Sequence, residues 1–277
     1  MVDTESLEAV AQSQGGIEEQ TAFDGAQVRW SRAALQDLGR LGDAMVSYRR
    51  ALQIKPDFTK AHSNLLLGLN YHPHLSTAEI YANHVQWDVR QTGAYEFVKR
   101  PACDRNPQRR LRVGYVSPDL RQHSVAYFFE PLLLEHDRQV VEVFCYAEVA
   151  RSDEVTARLQ GLADHWLRTV GMPDEALARR ISDDKIDILV DLAGHTGHNR
   201  LLVFARKPAP VQITWLGYPH STGLRAMDYR LVDAVTDPIG EADAWASETL
   251  VRLDNGFLCY AAPADTPEPA DPPSLAS

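Results

Sequence analysis

Two periodicities divide the chain. From Gln27 to about Gly68 the apolar positions recur at helical spacing, with Ala44, Tyr48 and Ala51 at i, i+4 and i+7 on one helix face. Pro56 follows five residues after Ala51 and stops that helix. LGRLGDAMVSYRRALQIKPDFTKAHSNLLLGL therefore reads as a helix, a Pro-Asp turn and a second helix carrying Leu65 and Leu66. NYHPHLS, residues 70 to 76, interrupts the pattern with Pro73 between His72 and His74. Ser76 or Thr77 can then cap a further helix, TAEIYANHVQWDVRQ, whose first turn holds Glu79 where the helix dipole favours an acid. KRPACDRNPQRR, residues 99 to 110, has two prolines and five basic residues and reads as a linker.

After Arg110 the period changes. LRVGYVS, VVEVFCYA, HWLRTV, IDILVDL, VQITWLGY and YRLVDAV read as strands. Helical stretches stand between the earlier ones: HSVAYFFEPLLLEH, irregular near Pro131, then DEVTARLQGLA and DEALARRISDD. Strands alternating with helices predict βαβ units, hence an α/β fold with a parallel sheet covered on both faces. In such sheets ligands lie beyond the carboxyl ends of the strands. That rule brings VSPDLRQH, DLAGHTGHNR and WLGYPHSTG to one rim.

Composition narrows the function. The 277 residues are 44% hydrophobic and 24% charged, an ordinary soluble balance, with a formal charge of −10 that argues against a generic nucleic-acid surface. The three cysteines are far apart, which fits a reducing compartment rather than a disulfide scaffold. The first 25 residues are acidic and lack an apolar core, and no run of 18 apolar residues occurs, so the expectation is a cytoplasmic protein with no membrane partner. A Walker-type loop, a GxGxxG after the first strand and a GxSxG elbow are all missing, which leaves dinucleotide binding and α/β-hydrolase chemistry unsupported.

The candidate chemistry sits at the strand ends. Asp119 and His123 are four apart in VSPDLRQHS, and a helix starting near Asp119 would aim both at one ligand. An acid in a partly dry cleft can serve as general base, and an imidazole exchanges protons near neutrality. The alternative is that Asp119 caps the helix and His123 belongs to the core. In GHTGHNR, glycines permit close approach of backbone, Thr196 and the next helix start can bind an anion, and Arg200 is either an anion contact or a surface ion pair. His195 and His198 are three apart but lack a third ligand at a sensible spacing, so no metal is expected. Trp215 and Tyr218 wall a sugar or pack the core, and Gly217 permits a main-chain contact to a ligand.

Two resemblances add to this reading. The helix pair resembles about one and a half tetratricopeptide repeats, in which small residues let paired helices approach. LRVGYVSPDLRQHSVAYFFEPLL, DILVDLAGHTGHNRLLVFARKPAPVQITWLGYPHSTGLRAMDYRLVDAVTDP and ETLVRLDNGFLCY resemble the protein O-GlcNAc transferase family, its bacterial members and plant SPINDLY-like relatives above all. The resemblance implies the Rossmann-like N-terminal lobe of a GT-B glycosyltransferase, preceded by tetratricopeptide-type hairpins that hold acceptor protein. It implies transfer of GlcNAc from UDP-GlcNAc to protein Ser or Thr hydroxyls with neither cofactor nor metal, or of fucose from GDP-fucose in the SPINDLY-like branch.

By the same resemblance Asp119 and His123 are the catalytic pair, and Leu216 and Gly217 line the sugar pocket. Thr196, Arg200 and His195 belong to a substrate-facing loop, and His72 or His74 matches a family histidine near the cleft. The expected layout is a frayed 1–26, helices over 27–98, a linker over 99–110, the lobe over 111–262 and a disordered tail over 263–277. The family's second lobe is expected to be missing, which would make the chain an incomplete enzyme. Self-association or a complementing chain would then have to complete the cleft, and a protein-binding scaffold is the alternative function.

Overall fold

The computed structural model describes residues 40–98, 106–262 and 266. The expectations for 1–26, for most of the linker and for the tail fall outside the described residues. What is described forms two compact units, one ending at His74 and the other beginning at Leu75.

The first unit is a helical hairpin of α1 (Leu41–Ile54) and α2 (Thr59–Leu69). The expected stripe is the buried one: Ala44, Tyr48 and Ala51 on α1 meet solvent hardly at all, nor do Leu65 and Leu66 on α2.

In the second unit, α3 (Thr77–Thr92) comes first. Ser76 caps it in a closed capping box, its Oγ accepting from the Glu79 N–H while the Glu79 carboxylate accepts from the Ser76 N–H at 2.9 Å. Sequence periodicity grouped α3 with the preceding helices of 27–98. It belongs instead with the α/β unit, because its buried residues include His84, Trp87 and Asp88, whose partners lie in the strand-end loops.

The α/β part runs β1 (Leu111–Ser117), α4 (Ser124–Glu135), β2 (Val141–Ala147), α5 (Glu154–Leu162), β3 (His165–Arg168) and α6 (Asp174–Asp183). It continues with β4 (Ile188–Asp191), the single turn α7 (Leu201–Phe204), β5 (Val211–Thr214), β6 (Tyr229–Val232), a 3-10 turn at Ala242–Trp245 and β7 (Thr249–Arg252). All seven strands are parallel, in the order β3-β2-β1-β4-β5-β6-β7. The order reverses between β1 and β4, which pair from Val113 opposite Ile188 to Val116 opposite Asp191. That reversal opens a crevice between the loops leaving the two strands.

Beneath it lies a core that includes Tyr115, Phe129, Val143, Cys145, Val190 and Trp215. The end of the expected linker is anchored to this unit, since Arg109 grips Asp187 with two hydrogen bonds of 2.6 Å. Among the described residues no helix is long and apolar enough to cross a membrane.

Candidate functional site

The loop leaving β1 carries Asp119 and His123, but not as a helical pair. The Asp119 N–H donates to Ser117 Oγ at 2.9 Å, and the loop is pinned from outside where Asp153 accepts from the Gln122 N–H at 2.7 Å. The helix starts only at Ser124, and His123 is its cap, with Nδ1 accepting from the Val125 N–H at 3.3 Å. Asp119 is therefore not the cap, and the helix does not begin beside it as the spacing suggested.

The two side chains meet nonetheless. His123 Nε2 and an Arg121 guanidinium nitrogen each stand 3.7 Å from Asp119 Oδ1. Asp119 is 8% exposed, and among the described residues its carboxylate accepts no hydrogen bond. Burial pushes its pKa up, while His123, Arg121 and His198 pull it back.

On the other side of the crevice Asp191 ends β4, only 1% exposed and fully engaged. It accepts from the N–H groups of Ala193 at 3.2 Å and Gly194 at 2.8 Å, and from Thr214 Oγ1 at 2.9 Å. Burial still dominates and raises its pKa to about 6. The turn that follows packs directly on the loop leaving β5. Gly194 has φ 54°, and a Cβ there would lie 2.2 Å from Tyr218 Cβ. A Cβ on Gly217 would lie 1.9 Å from the Leu192 carbonyl oxygen, and Leu216 beside it holds φ 72°. The close approach expected at Gly217 is thus made to the chain's own backbone, with only glycine able to fit.

The remaining candidates fall in different places. Thr196 donates its hydroxyl to Ala193 O at 2.9 Å. The helix start behind it is a single turn. Arg200 points inward: its N–H groups reach Glu148 twice, Asp174, and the carbonyls of Met172 and Thr169, at 2.7–3.1 Å. Those five bonds occupy its full donor set, so it is neither the surface pair nor the free anion contact that the sequence suggested. His195 is buried, with Nε2 donating to Thr222 O at 2.8 Å, whereas His198 is exposed. His72 and His74 lie in the unit that ends at His74, where the His74 N–H reaches His72 Nδ1 at 3.3 Å. Trp215 and Tyr218 are both buried, Trp215 donating to Phe257 O at 2.8 Å.

Sequence reasoning missed His84. Its Nδ1 faces the Ile80 carbonyl at 2.8 Å, which only accepts, so that nitrogen carries the proton. Nε2 then accepts from the Tyr218 hydroxyl at 2.7 Å. His220 stacks on His84 with centroids 4.8 Å apart, and Trp87 meets His195 edge-on at 4.7 Å. The signal was on the page: the buried stripe of α3 reads Ile80, His84, Trp87, Asp88, Gln91, with polar residues at positions that usually take apolar ones. A separate cavity of about 520 Å³, lined by Tyr95, Phe97, Glu175, Arg179, Asp183 and Arg206 among others, takes no residue from the strand-end loops. Among the described residues no three His, Cys, Asp or Glu side chains group as a metal would need.

Comparison with known proteins points one way. Residues 56–261 match the family described as glycosyl transferase family 41. Over 222 residues the chain is 38% identical to the "Probable UDP-N-acetylglucosamine--peptide N-acetylglucosaminyltransferase SPINDLY" of Petunia hybrida, which covers 79% of this chain and 23% of that protein. The protein of the same description from Solanum lycopersicum is 40% identical over 225 residues, with the same two coverages. The chain thus spans under a quarter of the length of these relatives. A solved structure of a mutant Thermobaculum terrenum O-GlcNAc transferase superposes with a TM-score of 0.82 at 40% identity, covering 87% of this chain and 46% of that one.

Proposed function

The chain belongs to glycosyl transferase family 41, and on that premise we propose that it forms the acceptor-side wall of a protein glycosyltransferase cleft. The reaction is transfer of GlcNAc from UDP-GlcNAc to a Ser or Thr hydroxyl, in keeping with the printed descriptions of its relatives. Tetratricopeptide-type packing of the α1–α2 hairpin would serve the acceptor protein, and the donor needs no metal partner on this chain.

The observation that carries the reading is the state of Asp119. A mostly buried carboxylate beside the reversal between β1 and β4, which accepts no hydrogen bond among the described residues, has lone pairs to offer a hydroxyl proton. His123 is the weaker candidate for base. Its Nδ1 lone pair is taken by the Val125 N–H, so in the neutral ring Nε2 holds the proton and faces Asp119. In the transfer, the acceptor oxygen bonds the sugar's anomeric carbon, the bond from that carbon to the diphosphate oxygen breaks, and the hydroxyl proton passes to Asp119. UDP leaves with the electron pair, and its charge has to be met by donors aimed at the diphosphate.

The test is calorimetric titration of the 277-residue chain with UDP-GlcNAc and, in parallel, GDP-fucose, followed by mass spectrometry of a Ser/Thr peptide. Saturable binding of UDP-GlcNAc with peptide modification is the expected result, and a preference for GDP-fucose would reassign the donor. No binding at millimolar donor would sink autonomous transfer and leave a protein-binding scaffold. Mixing with a chain that supplies the rest of the family's length separates a silent half-site from a wrong one.

A further inference from the structure

The loop leaving β1 is braced on both sides of Arg121. The Asp119 N–H is held by Ser117 Oγ, the Leu120 carbonyl accepts from the Thr156 hydroxyl at 2.9 Å, and the Gln122 N–H is held by Asp153. The Gln122 side chain donates to the Tyr127 hydroxyl at 2.7 Å, and His123 caps α4. The Arg121 side chain takes no such part. Of its five N–H donors one reaches the Gln122 carbonyl at 3.5 Å, the outer limit of a hydrogen bond, and no other is taken among the described residues. Arg200 in the β4 loop, by contrast, spends all five on the protein. The Arg121 side chain is 44% exposed, yet it stays against the buried acid, with Nη2 3.7 Å from Asp119 Oδ1. Asp153, a second acid that feels its charge, already accepts from the Gln122 and Thr156 N–H groups and from the Thr156 hydroxyl.

A rigid loop that presents an uncommitted guanidinium beside a reactive carboxylate selects for an anion on the substrate. We propose that Arg121 holds a carboxylate of the acceptor peptide, so that the chain prefers a Ser or Thr with an Asp or Glu one or two positions away. The inference rests on Asp119 taking the hydroxyl proton, and it names the class of acceptor. The spacing follows from reach. An extended chain advances about 3.3–3.6 Å per residue, so a peptide whose hydroxyl meets Asp119 brings its next side chains to a guanidinium 3.7 Å from that acid. The planar fork can then grip the carboxylate with two parallel N–H···O bonds. In the single displacement described above, the incoming hydroxyl and the leaving diphosphate lie on opposite sides of the anomeric carbon, so a cation beside the base serves the acceptor. The chain carries a formal charge of −10, which repels an acidic peptide at long range and makes a local cation the means of holding one.

The experiment titrates the full 277-residue chain with peptides carrying Asp one or two positions from a Ser, and with their Asn isosteres. Calorimetry reads the affinity and the Arg121 Nε–H signal in NMR reads the contact. The acidic peptides are expected to shift that signal and to bind about fivefold tighter than the isosteres, a gap that narrows as salt is added. Arg121→Gln is expected to close the gap while melting as the parent does, since the guanidinium makes a single long hydrogen bond. Arg121→Glu is expected to reverse the preference toward a peptide with Lys in place of Asp. Equal affinities in the parent, a gap that survives Arg121→Gln, or no peptide binding at millimolar concentration overturns the proposal. So does a signal shifted by UDP or pyrophosphate and not by the acidic peptides, which would give Arg121 to the donor. An Arg121→Gln variant that melts several degrees lower also overturns it, the guanidinium then being part of the frame. A charge-dependent gap in a chain that transfers no sugar would leave this contact standing and fail the transferase reading alone; transfer without such a gap would do the opposite.

Discussion

Asp119 and Asp191 are the same residue type at the carboxyl ends of two paired strands, both buried, both with pKa values raised by burial. They differ in what surrounds the oxygens. Asp191 accepts three hydrogen bonds and closes a turn; Asp119 accepts none among the described residues and has only charges at 3.7 Å. Burial alone does not separate a structural acid from a reactive one. The count of satisfied lone pairs does, because a carboxylate already holding three donors has little left to offer a substrate.

That contrast can be broken by substitution. Asp119→Asn is expected to lower transfer to a Ser/Thr peptide by about 100-fold or more while leaving the urea midpoint close to the parent's. A surviving rate would move the base elsewhere. Asp191→Ala should do the reverse. Two backbone N–H groups and the Thr214 hydroxyl lose their acceptor, at a cost of about 3 kcal/mol measured by urea unfolding. An unchanged midpoint would mean that the turn holds without its acid.

A pH series sharpens the comparison further. The folded pKa of Asp191, about 6, lies above the 3.8 of an ordinary aspartate, so the native state holds its proton longer than the unfolded chain. Its contribution is present below about pH 4 and is lost as pH rises through about 6, a change of about 3 kcal/mol relative to Asp191→Asn. Parallel stability curves for the two proteins over that window would show an ordinary pKa. Thr214→Val removes one of the three donors and is expected to cost about 1 kcal/mol, read from the melting temperature.

Much of the fold was legible because burial follows period. The mainly apolar runs of β1 and β4, the stripe of Ala44, Tyr48 and Ala51, and the Ser76 cap with Glu79 all follow from local patterns. Two short elements escaped. β7 is an edge strand of four residues and α7 a single turn, too brief for either period to register. The site was half legible. Asp119 and His123 meet as their spacing suggested, though through a cap rather than a helix face. The partners of Arg200 and His195, namely Glu148, Asp174 and Thr222, were not legible because they are distant in sequence. The stripe of α3 marked His84 as buried, but its partner Tyr218 lies far along the chain, beyond any local window.

The contact between the β4 and β5 loops has a consequence for redesign. Each chain segment fills the volume that a side chain would need on the other, at Gly194 against Tyr218 and at Gly217 against Leu192. This wall therefore has no spare room to trade: enlarging either glycine shifts backbone instead of reshaping a surface. Any redesign of this wall has to work through the positions that leave backbone untouched. The exposed side chains of Gln122 and His198 are the adjustable parts; the glycines are the frame.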